Sequence, residues 1–330
     1  MPNPNSWKAA RARVAMQATL RQFFGAHGFL EVETPCLVAA PGMEPHIQAF
    51  EVAFSPDAGV SAAACTLYLH TSPEYAMKRL LADGAGPIFQ LSRVFRNGEL
   101  SPTHNPEFTL LEFYRPNADY NAIMADLEQA LAAIEVALSG KPYFSQTPYI
   151  RLTVRDAVLA ATGVDLARCP DVASLRQAAL GCGVKAQPDD GYEDVFFRLF
   201  LEKVEAGLGR ERPVFLVDYP APLAALARQK PGHPDVAERF ELYGAGLELA
   251  NGFSELTDAA EQRRRLVEER ELRGRAGKTQ YPLDERFLSA LPSMPPSGGV
   301  AVGLDRVLMA ILGATQIEDV LLFPASGFLR

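Results

Sequence analysis

The chain has 330 residues, of which 48% are hydrophobic and 22% charged, and its formal net charge is −8. The acidic balance argues against broad electrostatic binding of nucleic acid, which needs a basic surface, and four cysteines without a C-x-x-C pair argue against a zinc site or a disulfide framework. No apolar run reaches the ~18 residues of a membrane span, and the N-terminus lacks the apolar core of a secretion signal, so we expect a cytoplasmic protein with no membrane partner.

The N-terminal part of the chain predicts helices that alternate with short strands. An apolar stripe indicates a long helix that ends near Gly25, and the residues at 29–37 predict a short strand that Pro35 terminates. Residues 67–81 predict the end of a strand, a turn and a helix that begins at Glu74. None of these segments by itself indicates a function.

Residues 89–115 carry the most informative pattern, which is two apolar strands joined by a polar loop. The segments FQLSRVF and FTLLEFY are typical of strands, and the loop RNGELSPTHNPE between them supplies the residues that turn a chain. This predicts a hairpin with Arg96 on its first arm and with Glu112 and Tyr114 on its second. Such a hairpin can hold an anion and an amine close together.

The remaining two thirds of the chain continue the mixture of helices and strands. The predicted elements are an amphipathic helix at 120–138, a mostly helical segment at about 150–210, a buried strand at 213–220, a strand pair at 239–256, a charged helix at about 258–273 and a glycine-rich strand leading into an apolar helix at 298–313. Because hairpins outnumber strand–helix–strand crossovers, we expect an α+β fold with an antiparallel β-sheet flanked by helices. We interpret the segment at 150–210 as a helical insertion without chemistry of its own.

Three segments resemble the signature motifs of class II aminoacyl-tRNA synthetases, in the lysyl form. The helix and the G-F-x-E-V-x-T-P run at about 7–37 resemble motif 1, the RNGE and HNPEF runs within 89–115 resemble motif 2, and the GLDR run within 298–313 resembles motif 3. The resemblance covers nearly all of residues 1–330 and implies a single catalytic domain of this family. It also implies a homodimer, because motif 1 builds the dimer interface in the family.

The resemblance implies that the protein uses ATP to activate a carboxylate. The carboxylate is already ionised, so the protein has to position the reactants and neutralise phosphate charge. Arg96 matches the arginine at the α-phosphate, and Phe108 matches the ring that stacks on adenine. Arg306 matches the arginine that covers the other adenine face and reaches the terminal phosphate, so that Arg96 and Arg306 are the predicted catalytic residues. The predicted ATP site consists of Arg96, Asn97, Gly98, Glu99, His104, Asn105, Phe108, Glu248, Leu249, Gly303 and Arg306.

A magnesium ion and a basic amino acid are the other expected ligands. The run ELANGFSEL resembles the lysyl sequence in which two glutamates hold Mg²⁺, which prefers hard oxygen ligands, so Glu248 and Glu255 are the predicted metal ligands. The alternative is that one of them contacts the substrate amine, and the sequence leaves this division open. A buried ammonium must be paired, and the predicted amino-acid pocket consists of Ser72, Pro73, Glu74, Glu112, Tyr114, Asn251, Glu255 and Ala301.

Three positions differ from the lysyl pattern. Gly98 replaces a glutamate, Thr103 stands where tRNA-charging enzymes often have arginine, and Ala301 replaces a glycine at the pocket wall. The same alanine is found in a sub-family that does not charge tRNA but attaches (R)-β-lysine to translation elongation factor P. Motif 1 also begins within the first thirty or so residues, where an anticodon-binding OB domain does not fit before it.

We therefore expect activation of (R)-β-lysine, or of lysine, and its transfer to the ε-amine of a lysine on elongation factor P, with no tRNA partner. Two alternatives remain. One is a free-standing lysyl-type ligase that charges tRNA or another acceptor. The other is a catalytically silent regulatory paralogue, against which the presence of Arg96, Glu248, Glu255 and Arg306 argues. No residue can be named from the sequence as the base that deprotonates the acceptor amine.

Overall fold

The computed structural model describes residues 4–55 and 65–329. Its strands, numbered in chain order, are β1 (Leu30–Glu31), β2 (Leu37–Val38), β3 (Phe50–Phe54), β4 (Cys65–Leu69), β5 (Ile88–Phe95), β6 (Glu107–Pro116), β7 (Ile150–Thr153), β8 (Val214–Pro220), β9 (Gln229–Lys230), β10 (His233–Gly244), β11 (Leu247–Ser254) and β12 (Ser297–Gly303). Its α-helices are α1 (Pro4–Ala26), α2 (Glu74–Ala82), α3 (Tyr120–Ala137), α4 (Val154–Thr162), α5 (Val172–Gly181), α6 (Tyr192–Lys203), α7 (Ala259–Arg275), α8 (Glu285–Ala290) and α9 (Leu304–Leu312). Over these residues, no helix is long and apolar enough to cross a membrane.

A large mixed sheet organises the fold. Among the described residues, nine strands form this sheet in the order β1-β5-β6-β12-β11-β10-β8-β7, with β9 paired to β10. The pairs from β5 across to β8 are antiparallel, whereas the outermost pairs, β1 with β5 and β7 with β8, are parallel. The predicted α+β fold is therefore confirmed, with a parallel strand added at each end of an antiparallel sheet.

The predicted strand at 29–37 is wrong as a single element. Its first part, β1, pairs with β5 in the large sheet, whereas its last part, β2, pairs with β4 in a separate three-stranded sheet of β2, β4 and β3. Pro35 lies between the two parts and has no N–H to donate to a strand ladder. The chain therefore leaves one sheet at this proline and enters the other.

Helices α1, α3 and α9 cover one face of the large sheet. Side chains alternate between the two faces of a strand, and apolar residues such as Phe113 of β6 and Val300 and Val302 of β12 are buried on the covered side. They pack with Phe24 of α1 and Leu127 of α3 in one core. The opposite face is free to carry polar side chains where it is not covered.

Two separate groups of helices cover the ends of this opposite face. Helices α4, α5 and α6 pack on the β7–β8 end, in a core that includes Leu199 and Leu216. Helices α2, α7 and α8 pack on the β5–β6 end, in a core that includes Met77 and Phe287. The middle of the face, over β6, β12 and β11, remains open between them.

A buried carboxylate joins α1, β6 and α9 on the covered side. Asp305 is 1% exposed and accepts hydrogen bonds from the backbone N–H of Thr109 (2.7 Å) and from the guanidinium of Arg13. Arg13 also donates to the carbonyl oxygen of Val320 at 3.0 Å. Removing one partner of a buried ion pair leaves the other charge uncompensated in the interior.

We predict that Asp305→Ala lowers the free energy of unfolding by about 3 kcal/mol or more, as measured by urea denaturation. The matched control is Glu271→Ala, which removes an exposed carboxylate from α7 and should change this free energy by less than about 0.5 kcal/mol. Equal stability of the two variants would show that the buried carboxylate does not join the three elements.

Candidate active site

The open middle of the sheet is the floor of a cleft of about 650 Å³. In the strand register, Glu112 of β6 lies opposite Ala301 of β12, and Ala301 lies opposite Asn251 of β11. Residues opposite each other in a sheet share a face, so the two-residue period of three strands brings these side chains together. The face of these strands that forms the floor is therefore polar, whereas their opposite face is apolar.

Most of the predicted site residues line this one cleft. They are Ser72, Glu74, Arg96, Glu99, His104, Asn105, Phe108, Tyr114, Glu248, Leu249, Asn251, Glu255, Ala301, Gly303 and Arg306. The sequence thus predicted a set of residues that the fold gathers from four separate segments of the chain. What each residue binds remains a prediction.

Four other predicted residues lie beside the cleft in supporting positions. Gly98 has a φ of +86°, a left-handed conformation that favours glycine, and the backbone N–H of Asn97 donates to the carbonyl oxygen of Gln48 at 2.7 Å. Pro73 is the residue that precedes the first turn of α2. Glu112 is completely buried in the floor. These residues shape the loop, the helix start and the floor.

One end of the cleft carries guanidinium groups. The guanidinium carbon of Arg96 lies 5.1 Å from the centre of the Phe108 ring, and one of its nitrogens lies 3.7 Å from Glu99. Within the described part of the chain, the buried Nε of Arg96 has no hydrogen-bond partner. An unsatisfied buried donor is costly in free energy, and an anionic oxygen at this end would satisfy it.

Arg306 is oriented from three sides. It donates to the carbonyl oxygens of Glu248 (2.8 Å) and Thr103 (3.3 Å) and to Nε2 of His104 (2.6 Å). Because Nε2 of His104 accepts, its Nδ1 carries the proton and donates to the hydroxyl of Ser101 at 2.7 Å. Burial and the nearby Arg306 charge lower the pKa of His104. The imidazole is therefore neutral and positions Arg306 without repelling it.

The other end of the cleft carries buried carboxyl groups. Glu112 accepts hydrogen bonds from the hydroxyls of Ser72 (2.6 Å) and Tyr114 (2.9 Å). Burial, with a further contribution from the charge of Glu74, raises the pKa of Glu112 to about 8. Burial likewise raises the pKa of Glu255 to about 8. Both groups lack sufficient cationic partners, which an ammonium group would supply.

Glycine is required where β12 passes this acidic end. A Cβ atom on Gly299 would lie 2.3 Å from the Tyr114 ring and 2.4 Å from Oε1 of Glu255. A Cβ atom on Gly252 of β11 would lie 2.6 Å from the backbone carbonyl of Gly299. The two glycines allow the strands and the acidic side chains to approach this closely.

The sequence interpretation missed several charged residues of the cleft region, among them Lys78, Arg239 and Glu241. Lys78 of α2 is buried between Glu74 and Glu255, with its Nζ 2.5 Å from an oxygen of each. Arg239 and Glu241 of β10 line the cleft as an ion pair at 2.6 Å. For Lys78, the available signal was its spacing of four residues from Glu74 on a predicted helix. For Arg239 and Glu241, the available signal was the alternation of polar and apolar residues along β10.

Glu241 is a further candidate, beside the predicted Glu255, for a metal ligand next to Glu248. No group of three potential metal-binding side chains occurs in the part of the chain that the structure describes. Glu255 is already paired with Lys78, whereas burial and the adjacent Glu241 raise the pKa of Glu248 to about 7. Two neighbouring carboxylates whose repulsion a cation would relieve fit Mg²⁺ with substrate phosphates. Glu255, paired with Lys78, and Glu241, paired with Arg239, each already have a cationic partner, so the pair of Glu248 and Glu255 stays a prediction.

The helical segment at 150–210, which we interpret as an insertion without chemistry of its own, lines part of the cleft. Glu193, Phe197 and Leu201 lie on one side of α6 because they are four residues apart, and all three line the cleft. The segment therefore forms one wall of the site.

The sheet, the three motifs and the two-ended cleft define a catalytic domain of the class II aminoacyl-tRNA synthetase type. A family model described as tRNA synthetases class II (D, K and N) matches residues 1–327. Relatives named Elongation factor P–(R)-beta-lysine ligase include those of Erwinia tasmaniensis (41% identity, 98% of each chain) and Edwardsiella ictaluri (42% identity, 94% of this chain and 93% of the relative). The chain belongs to the class II synthetase family and, within it, to the elongation factor P–(R)-β-lysine ligase group.

We predict that Arg306→Ala reduces ATP–pyrophosphate exchange by a factor of about 10² or more, because an oriented guanidinium is lost where phosphate charge develops. The thermal unfolding temperature should stay close to that of the unchanged protein. The matched control is Arg275→Ala, which removes an exposed guanidinium at the end of α7 and should leave exchange unchanged. Full exchange in the Arg306 variant would remove this residue from the phosphate site.

Proposed function

We propose that the protein activates (R)-β-lysine with ATP and transfers it to the ε-amine of a lysine on translation elongation factor P. The observation that carries the proposal is the polarity of the cleft, which has guanidinium groups at one end and buried carboxyl groups at the other. This separation of charge suits a substrate whose carboxylate lies next to ATP and whose ammonium groups lie among the acidic side chains. The names of the relatives support the acceptor.

The guanidinium end serves the activation step. Arg96 neutralises the α-phosphate as the substrate carboxylate attacks it, and Phe108 and Arg306 hold the adenine ring between them. A new bond forms between the carboxylate oxygen and phosphorus, and the bond to pyrophosphate breaks. Glu248, together with Glu255 or Glu241, would hold Mg²⁺, and the bound ion would neutralise phosphate charge.

The acidic end selects the substrate. Glu255, Glu112 and the hydroxyl of Tyr114 surround the proposed position of a substrate ammonium, and Asn251 lines the same cleft. An ammonium entering this region offsets the burial cost of the carboxylates. A neutral side chain of the same size would leave these groups unpaired, so the site discriminates against it.

Transfer requires the acceptor amine in its neutral form. The amine nitrogen attacks the carbonyl carbon of the adenylate, a C–N bond forms, AMP leaves with the bridging oxygen, and the nitrogen loses a proton. We also propose a cytoplasmic homodimer formed through the motif 1 region, where Trp7, Val14 and Leu30 are exposed at 54%, 69% and 58%.

The decisive experiment is a mass spectrum of elongation factor P after incubation with the protein, ATP and (R)-β-lysine. We expect a mass gain of one β-lysyl group on a single lysine, which is lost when ATP is omitted. The Arg306→Ala variant is the control for the catalytic origin of the product. An unmodified factor, together with formation of lysyl-tRNA from added tRNA, would replace this proposal by a tRNA-charging function.

We predict that Ala301→Gly shifts substrate preference from (R)-β-lysine toward α-lysine by about tenfold, because it removes a methyl group from the floor between Glu112 and Asn251. The measurement is the ratio of kcat/KM for the two isomers in ATP–pyrophosphate exchange. The matched control is Ala310→Gly, outside the cleft lining on α9, which should leave the ratio unchanged. An unchanged ratio in the Ala301 variant would show that this methyl group does not discriminate the isomers.

A further inference from the structure

Lys78 is a charged residue that does not line the cleft. Its side chain is 0% exposed, and it lies behind the cleft with its Nζ 2.5 Å from Oε1 of Glu74 and 2.5 Å from Oε2 of Glu255. The rings of Phe253 and Phe287 lie 5.1 and 5.9 Å from the same nitrogen. The ammonium is therefore enclosed by two carboxylates and two aromatic rings.

The two oxygens of Glu255 face different surroundings. Oε2 faces Lys78, whereas Oε1 lies beside Gly299 and the Tyr114 ring, so closely that no Cβ atom fits between them. Within the described residues, the buried Oε1 has no hydrogen-bond partner, and Glu255 lines the cleft. Oε2 is thus held by Lys78, whereas Oε1 lies buried beside residues that line the cleft.

A purely stabilising role does not account for this arrangement. A buried ion pair is on average no more stabilising than well-packed apolar side chains of similar volume, and Met77 and Leu81 of the same helix face are packed in an apolar core. Lys78 instead compensates a concentration of negative charge. Glu74, Glu112 and Glu255 all lie around it. Besides burial, the charge of Glu74 raises the pKa of Glu112 and of Glu255.

The electrostatic balance of Lys78 agrees with this role. Burial acts to lower the pKa of Lys78, but the charges of Glu255 and Glu74 outweigh burial and raise it. The lysine is therefore permanently charged. Conversely, Lys78 acts against the rise in the pKa of Glu255 that burial causes.

We propose that Lys78 is a positioning residue for the substrate ammonium: it holds one oxygen of Glu255, so that the other oxygen stays beside Gly299 and Tyr114 on the cleft side. The inference rests on the proposed function, since it requires a substrate that carries an ammonium group at this end of the cleft. Lys78 thereby sets how many substrate charges the acidic end accepts. The ammonium of Lys78 already compensates one negative charge among the three carboxyl groups.

The test is the KM for (R)-β-lysine in ATP–pyrophosphate exchange, compared among three variants. Lys78→Met keeps the length of the side chain without the charge, and we expect the KM for (R)-β-lysine to rise about tenfold or more while the KM for ATP stays unchanged. Lys78→Arg retains the charge and should keep the lower KM. Arg79→Met is the matched control, since this neighbouring cation on α2 is exposed, and it should behave as the unchanged protein.

Lys78→Gln is a second variant that distinguishes loss of charge from a folding defect, because it keeps a hydrogen-bond donor between the two carboxylates without the charge. It should show the same rise in KM as Lys78→Met, at an unfolding temperature that demonstrates a folded protein. A fall in kcat with unchanged KM in the folded Met or Gln variants would overturn the inference alone. Absence of exchange with both lysine isomers in the unchanged protein would overturn the proposed function and, with it, this inference.

Discussion

The neutralisation of buried carboxylates is the constraint on which the site depends. Moving a carboxylate from water into the interior is costly in free energy unless it is paired, yet Glu112 and Glu255 are only 0% and 3% exposed. The protein supplies one ammonium, from Lys78, and two hydroxyl donors, from Ser72 and Tyr114. The remaining negative charge at one end and the guanidinium groups at the other fix the direction in which a zwitterionic substrate binds.

Local sequence patterns predicted much of this arrangement because β-strands alternate with a strict period of two. The segments that contain Glu112, Asn251 and Ala301 were each recognised as strands, and their antiparallel pairing brings the three residues to one face of the sheet. The hairpin that carries Arg96 required no long-range information either, because its turn residues are contiguous. The α+β fold followed from the preponderance of such hairpins.

Long-range pairings were the part that the sequence did not predict. The strand at 29–37 divides between two sheets because the partners of its two ends lie about 20 residues apart in the chain, at 69 and 88. Lys78 acquires its role only when α2 packs beside β11, which brings Glu255 to it. The segment at 150–210 has an ordinary helical pattern, and nothing in that pattern shows that one side of α6 faces a cleft.

The close approach at Gly252 and Gly299 makes the floor of the cleft a rigid surface. Because a Cβ atom at either position would collide with backbone or ring atoms, β11 and β12 cannot separate or shift without losing their contacts with the acidic side chains. Adaptation to a ligand must therefore take place in the walls, which α2 and α6 form from segments more than a hundred residues apart. The two walls are attached to opposite ends of the sheet, so a change in one can adjust the entrance for an acceptor without altering the position at which the amino acid is held.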